Sequence, residues 1–169
     1  SWAGWGPELL GLTAVTGLAG YCALYFALWC SFAARLRAAD GTGLTLGTSL
    51  KRAFLGAAFW CGCEWLRGIV LTGFGWDGLG VALHRNYPLI QIADVVGVSG
   101  IAFLPVFVSI VLFHAVRRLV SHFREGKRAR LISWDVALAL GLLLVTASYG
   151  WMRLSQCDRQ IAEGKDNIP

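Results

Sequence analysis

The sequence predicts an all-α fold, a polytopic transmembrane bundle with about four membrane-spanning helices. Three observations carry that expectation. Of the 169 residues, 56% are hydrophobic and 15% charged, where an average soluble domain is about 25% charged. The apolar residues fall into four long runs, and most basic residues gather in two of the stretches between them. With a mean hydropathy of +0.59, eight Trp and nine Phe, one small core could not hide so much apolar surface. That argues against an ordinary soluble globule, and the composition excludes disorder, a collagen-like fibre and a secreted disulfide scaffold.

Crossing the hydrocarbon layer takes about 20 mostly apolar residues. Residues 9–34 contain no formal charge and predict the first span. The second, at about 53–72, is apolar apart from Glu64 and Arg67. Residues 95–116 predict the third, with Pro105 as an expected kink. The fourth covers 134–152, with Trp134 and Trp151 as interfacial anchors, Ser133 at the N-cap position and Asp135 in the positive first turn. Residues 153–169 read as a polar tail.

The loops then orient the bundle. Arg35, Arg37, Lys51 and Arg52 face one acid, Asp40, between the first two spans. Arg117, Arg118, Arg124, Lys127, Arg128 and Arg130 face only Glu125 between the last two. The middle connection is balanced, with Asp77 and Asp94 against Arg67 and Arg85. The positive-inside rule makes both basic loops cytoplasmic and turns the middle loop and both chain ends outward. Such loops can also attract anionic headgroups. A net charge of +5 arranged this way is a topology signal rather than a nucleic-acid footprint. The only Met is Met152 and no basic segment opens the chain, so it reads as a piece of something longer without a signal peptide.

Candidate functional residues concentrate around the second span. Glu64 and Arg67 are three apart, hence on one helical face and within pairing reach. Counting about 1.5 Å per residue from Arg52 puts them in the outward half of the bilayer. Charges there are costly and mark either function or a neutralised packing pair. The loop that follows, from Thr72 to Gly80, holds Phe74 and Trp76 among glycines. Gly73, Gly75 and Gly78 satisfy GxGxxG in letters only, because that fingerprint needs a preceding strand in a βαβ unit. An aromatic and glycine-rich loop lying on the membrane surface is the better reading. His84 and Arg85 extend it, and Arg85 could hold a phospholipid phosphate.

Other candidates are weaker. His114 and His122 read as interfacial residues at the inner end of the third span. The five Cys include Cys22, Cys30, Cys61 and Cys63 within apolar runs, where a small buried hydrophobe is expected rather than a disulfide. Cys61 and Cys63 lie about 200° apart around a helix, so no metal site is expected, and no cofactor. Cys157, Glu163 and Lys165 imitate a catalytic set, but a short polar tail cannot hold three groups to the tolerance a site needs.

Residues 64–104 carry a resemblance. Glu64-Trp65-Leu66-Arg67-Gly68, then Leu71-Thr72-Gly73-Phe74-Gly75-Trp76 and Leu79-Gly80, resemble the membrane domain of bacterial apolipoprotein N-acyltransferase. So do Pro88-Leu89-Ile90-Gln91-Ile92-Ala93-Asp94 and Gly97-Val98-Ser99-Gly100-Ile101-Ala102-Phe103-Leu104. Two positions depart from the family pattern, which usually has Pro at Gly75 and often Asn near Ser109. The resemblance implies an inner-membrane enzyme that moves an acyl chain from a phospholipid to the α-amino group of the lipidated N-terminal Cys of an apolipoprotein. The family works through a Cys thioester, with a Glu base and a Lys that stabilises the oxyanion, on a nitrilase-like domain outside the membrane. No residue here matches that triad. The chain is thus expected to be inactive alone, resembling the last four helices before that domain. Glu64, Arg67, Phe74, Trp76, His84 and Arg85 are expected to shape a lipid access site in the outer leaflet. The competing expectations are a non-enzymatic scaffold or transporter subunit, and a relic or split half that needs a partner chain.

Overall fold

The computed structural model describes residues 6–39, 45–76, 78–124 and 133–165, excluding the side chains of Pro7, Thr72 and Lys165. Every regular element among them is helical. Long helices α1 (Gly6–Ala39) and α2 (Leu46–Arg67) are followed by a single 3-10 turn at Val70–Thr72. Two one-turn helices come next, α3 (Leu79–Ala82) and α4 (Tyr87–Ile90), and then the long α5 (Ala93–Arg124) and α6 (Trp134–Lys165). Asp40, Asp77, Glu125, Lys127, Arg128 and Arg130 lie outside the described residues.

α1, α5 and α6 each run further than their apolar cores, because Ala, Leu, Arg, Gln and Glu flank the cores and favour helix. The tail expected after Met152 is a correction of this kind: α6 continues through Lys165, since 153–163 contains neither Gly nor Pro. α2 behaves oppositely. It starts at an N-cap, Thr45, whose hydroxyl accepts from the Thr48 amide at 3.3 Å. It stops at Arg67, short of residue 72, because the chain reverses after Gly68 and the Phe74 amide donates to the Arg67 carbonyl at 2.9 Å.

Three helices are long and apolar enough to cross a membrane, over Glu8–Ala39, Ala93–Arg124 and Trp134–Gly164. α2 is not among them. Its 22 residues span about 33 Å, but they include Lys51, Arg52, Glu64 and Arg67. The kink expected at Pro105 also moves. Within α5 the non-helical dihedrals fall at Gly97, with φ 68° and ψ −179°, while Pro105 stays inside the helix.

The core lies where α2, α5 and α6 meet. Ala53 and Ala57 of α2 pack against Val106, Phe107 and Val111 of α5 and against Val136 and Ala139 of α6. Small residues on α2 let the backbones approach, the usual basis of helix association where lipid removes the hydrophobic drive. α1 joins from the side. The Trp29 indole donates to the Gly56 carbonyl at 2.8 Å, and Phe32 stacks on Phe59 with centroids 4.1 Å apart. α4 rests on α6 at Gly150, where any Cβ would collide with the Pro88 carbonyl.

Polar clamps close both ends. At one end, buried Asp135 accepts from Ser49 Oγ at 2.6 Å and from Arg118 Nη2 at 2.5 Å. Ser133 Oγ and the Val136 amide also donate to it, and Ser49 is 3.0 Å from His114 Nδ1. His114 is 3% exposed and Arg52 is 6% exposed, so both lie inside the bundle rather than on its surface. The ends of three helices converge there and enclose them. At the other end, Asp94 accepts from Tyr149 at 2.8 Å and pairs with Arg153 at 3.2 Å.

Candidate functional site

Residues 73–76 fold back over the end of α2, and α2 carries the two charges that fasten them and the start of α3. Glu64 Oε1 accepts from the Leu79 amide at 2.7 Å, at the first turn of α3. Arg67 Nη2 donates to the Trp76 carbonyl at 3.2 Å. Among the described residues no ion pair joins Glu64 to Arg67, although their spacing allows one. Backbone donors and acceptors freed by the turn compete for these side chains, and in an apolar setting leaving such groups unsatisfied is costly.

α1 supplies the opposite wall. Tyr21 donates to the Val70 carbonyl at 3.2 Å, and Tyr25 donates to the Tyr21 hydroxyl at 2.9 Å. Between these walls lies a cavity of about 380 Å³ lined by Tyr25, Phe26, Trp60, Glu64, Arg67, Phe74 and Trp76, among others. Phe74 and Trp76 stack at its rim with centroids 6.2 Å apart. The Trp76 side is 77% exposed. Arg67 Nε is buried with no hydrogen-bond partner among the described residues. Arg67 also lines this aromatic cavity, and a guanidinium there can hold a phosphate or ester oxygen while the rings receive an alkyl chain.

The structure thus brings together four of the six residues expected from the sequence: Glu64, Arg67, Phe74 and Trp76. It leaves out the other two. His84 is exposed with Nδ1 3.2 Å from the Val81 carbonyl, and Arg85 lines a separate shallow depression with Asn86, Tyr87 and Pro88. Tyr21 and Tyr25 were missed by sequence reasoning. Their signal was available, since two hydroxyls four residues apart in an apolar helix need polar partners on one face. Cys157 and Glu163 are both exposed on α6, and six residues of separation put them on different helical faces. The side chain of Lys165 lies outside the described residues.

A family model described as the N-terminal domain of apolipoprotein N-acyltransferase matches residues 2–111. The chain belongs to this family. The apolipoprotein N-acyltransferase of Geobacter metallireducens is 36% identical over 148 residues, covering 88% of this chain and 26% of the relative. That of Bradyrhizobium diazoefficiens is 33% identical over 144 residues, covering 84% and 24%. The Rhodopirellula baltica apolipoprotein N-acyltransferase is 32% identical over 140 residues, covering 82% and 24%. The chain therefore spans about a quarter of the length of the curated relatives it matches. No solved structure matches it. The family resemblance seen over 64–104 is borne out, and with the three apolar helices it makes the chain a multi-pass membrane protein of the acyltransferase family.

Proposed function

We propose that this chain is the membrane-embedded part of an apolipoprotein N-acyltransferase, and that the cavity between α1, α2, Phe74, Trp76 and α3 is its lipid access site. The enzyme would move an acyl chain from a phospholipid to the N-terminal Cys amine of a lipidated apolipoprotein. Its Cys, Glu and Lys would reside in a nitrilase-like domain, and this chain would contribute anchorage and access rather than a nucleophile. The observation that carries the reading is Arg67, a cationic side chain in the lining of a cavity that Phe74 and Trp76 also line. That combination suits an anionic headgroup joined to an alkyl chain. Family membership favours it over the scaffold or transporter reading. The expected setting is the bacterial inner membrane, with basic loops in the cytoplasm and both ends of the chain in the periplasm.

The test is acylation by the full-length enzyme carrying Trp76→Ala or Arg67→Gln. Losing a hydrogen bond from a charged donor costs roughly 1.5–3 kcal/mol, so kcat/KM should fall at least about tenfold for Arg67→Gln. Unchanged values in both variants would remove the proposal.

A further inference from the structure

A second cavity lies on the other side of Trp60, toward the basic end of the bundle. It is larger, about 770 Å³, and within the usual range for ligand sites. Its walls are apolar, formed by Phe26 and Trp29 of α1, Trp60 of α2, and Ile110 and Phe113 of α5. Its end is basic. Arg37, Arg52 and His114 line it, and Arg117 lies 5.9 Å from the centroid of the Phe113 ring. No Asp or Glu is among the described residues that line it.

The dimensions point to a lipid. Along α1 the cavity runs from Phe26 to Arg37, eleven residues or about 16 Å, which is half of a hydrocarbon core about 30 Å thick. Its length thus matches one leaflet, with the cations gathered at one end and aromatic walls along the rest. Two features argue against a merely greasy seam between helices. Arg52 reaches the cavity although it is 6% exposed, and His114 reaches it although its Nδ1 is already engaged by Ser49.

We propose that this groove binds one anionic phospholipid from the leaflet at the basic end of the bundle, its phosphate at Arg37 and Arg52 and one acyl chain along Trp29, Ile110 and Phe113. Its basic end points away from the access cavity, which it adjoins across Phe26, Trp60 and Leu79, and the proposal does not depend on the acyltransferase reading.

The test is native mass spectrometry of the intact protein in detergent, titrated with palmitoyl-oleoyl phosphatidylglycerol or with phosphatidylcholine of the same chains. One phosphatidylglycerol should be retained per protein, in preference to phosphatidylcholine. Arg37→Gln should lower its retention about fivefold, the effect of one basic residue at an anionic surface. Ser109→Phe, which fills the groove without touching its charges or the other cavity, should also lower it. Arg37 is exposed, so its loss tests headgroup binding without disturbing the core. Equal retention of both lipids, or unchanged phosphatidylglycerol retention in either variant, overturns the proposal. Loss in Arg37→Gln but not Ser109→Phe would assign the effect to surface charge and refute the groove.

Discussion

Asp135 has no exposed surface, and its carboxylate joins three helices through Ser49, Arg118 and Ser133. Replacing it with Ala leaves Arg118 and Ser49 facing an apolar interface without their acceptor. Loss of one member of a buried pair costs about 3–5 kcal/mol, and Arg118 recovers part of that because its side chain is 22% exposed. Asp135→Ala should therefore destabilise the bundle by roughly 2–3 kcal/mol, with a lower thermal midpoint in detergent. A midpoint equal to that of the wild type would show that the cluster is not a clamp. The sequence displays Asp135 only as an acid in a helix's first turn. It cannot show that Ser49, 86 positions away, arrives beside it. Glu64 and Arg67 were legible as costly charges, but their actual partners, the Leu79 amide and the Trp76 carbonyl, depend on a backbone reversal that no spacing rule encodes.

At the level of elements, hydropathy located the four long helices because a continuous apolar run has few other fates in a membrane. Helix ends were less legible, since an end is decided by what competes for the last carbonyls. Gly68 and the returning Phe74 amide end α2, whereas nothing comparable interrupts α6 after Met152. The break in α5 was misplaced for a related reason. A proline costs one hydrogen bond and keeps a helix-compatible φ, while Gly97 occupies a region that is essentially closed to side chains. Gly97→Ala should cost about 1–3 kcal/mol and swing the Ala93–Val96 turn, and with it Asp94, away from Tyr149 and Arg153. Thermal unfolding of Gly97→Ala compared with Gly141→Ala, where a Cβ meets nothing within 4 Å and φ is not positive, checks this; a smaller loss at Gly97 contradicts it.

At the scale of the whole molecule, the charged residues of two separate loops prove to be neighbours. Arg37 and Arg52 share a cavity with His114, and Arg118 meets Asp135 close by, so the basic clusters gather at one end of the bundle. That is the arrangement a positive-inside orientation requires. The orientation itself makes a prediction through Cys157, which is exposed on α6. In a variant keeping only that thiol, a membrane-impermeant maleimide should label intact spheroplasts and fail to label sealed inverted vesicles. The reverse pattern would invert the topology. Fold class was legible from composition because membrane solvent leaves few architectures. The two cavities were not, because each is a space between helices distant in sequence.

The pinning of α6 has a mechanical consequence. The helix is fastened near its start through Asp135 and again near Tyr149 and Arg153 through Asp94, so neither its tilt nor its rotation is free. Beyond the second fastening it continues to Lys165, twelve residues or about 18 Å of straight rod. Heading and height at its tip are therefore set from within the bundle. One residue inserted after Arg153 would turn the tip by about 100° and raise it by about 1.5 Å, while seven would nearly restore its heading at about 10 Å greater height. α6 is in this sense a spindle clamped in two bearings.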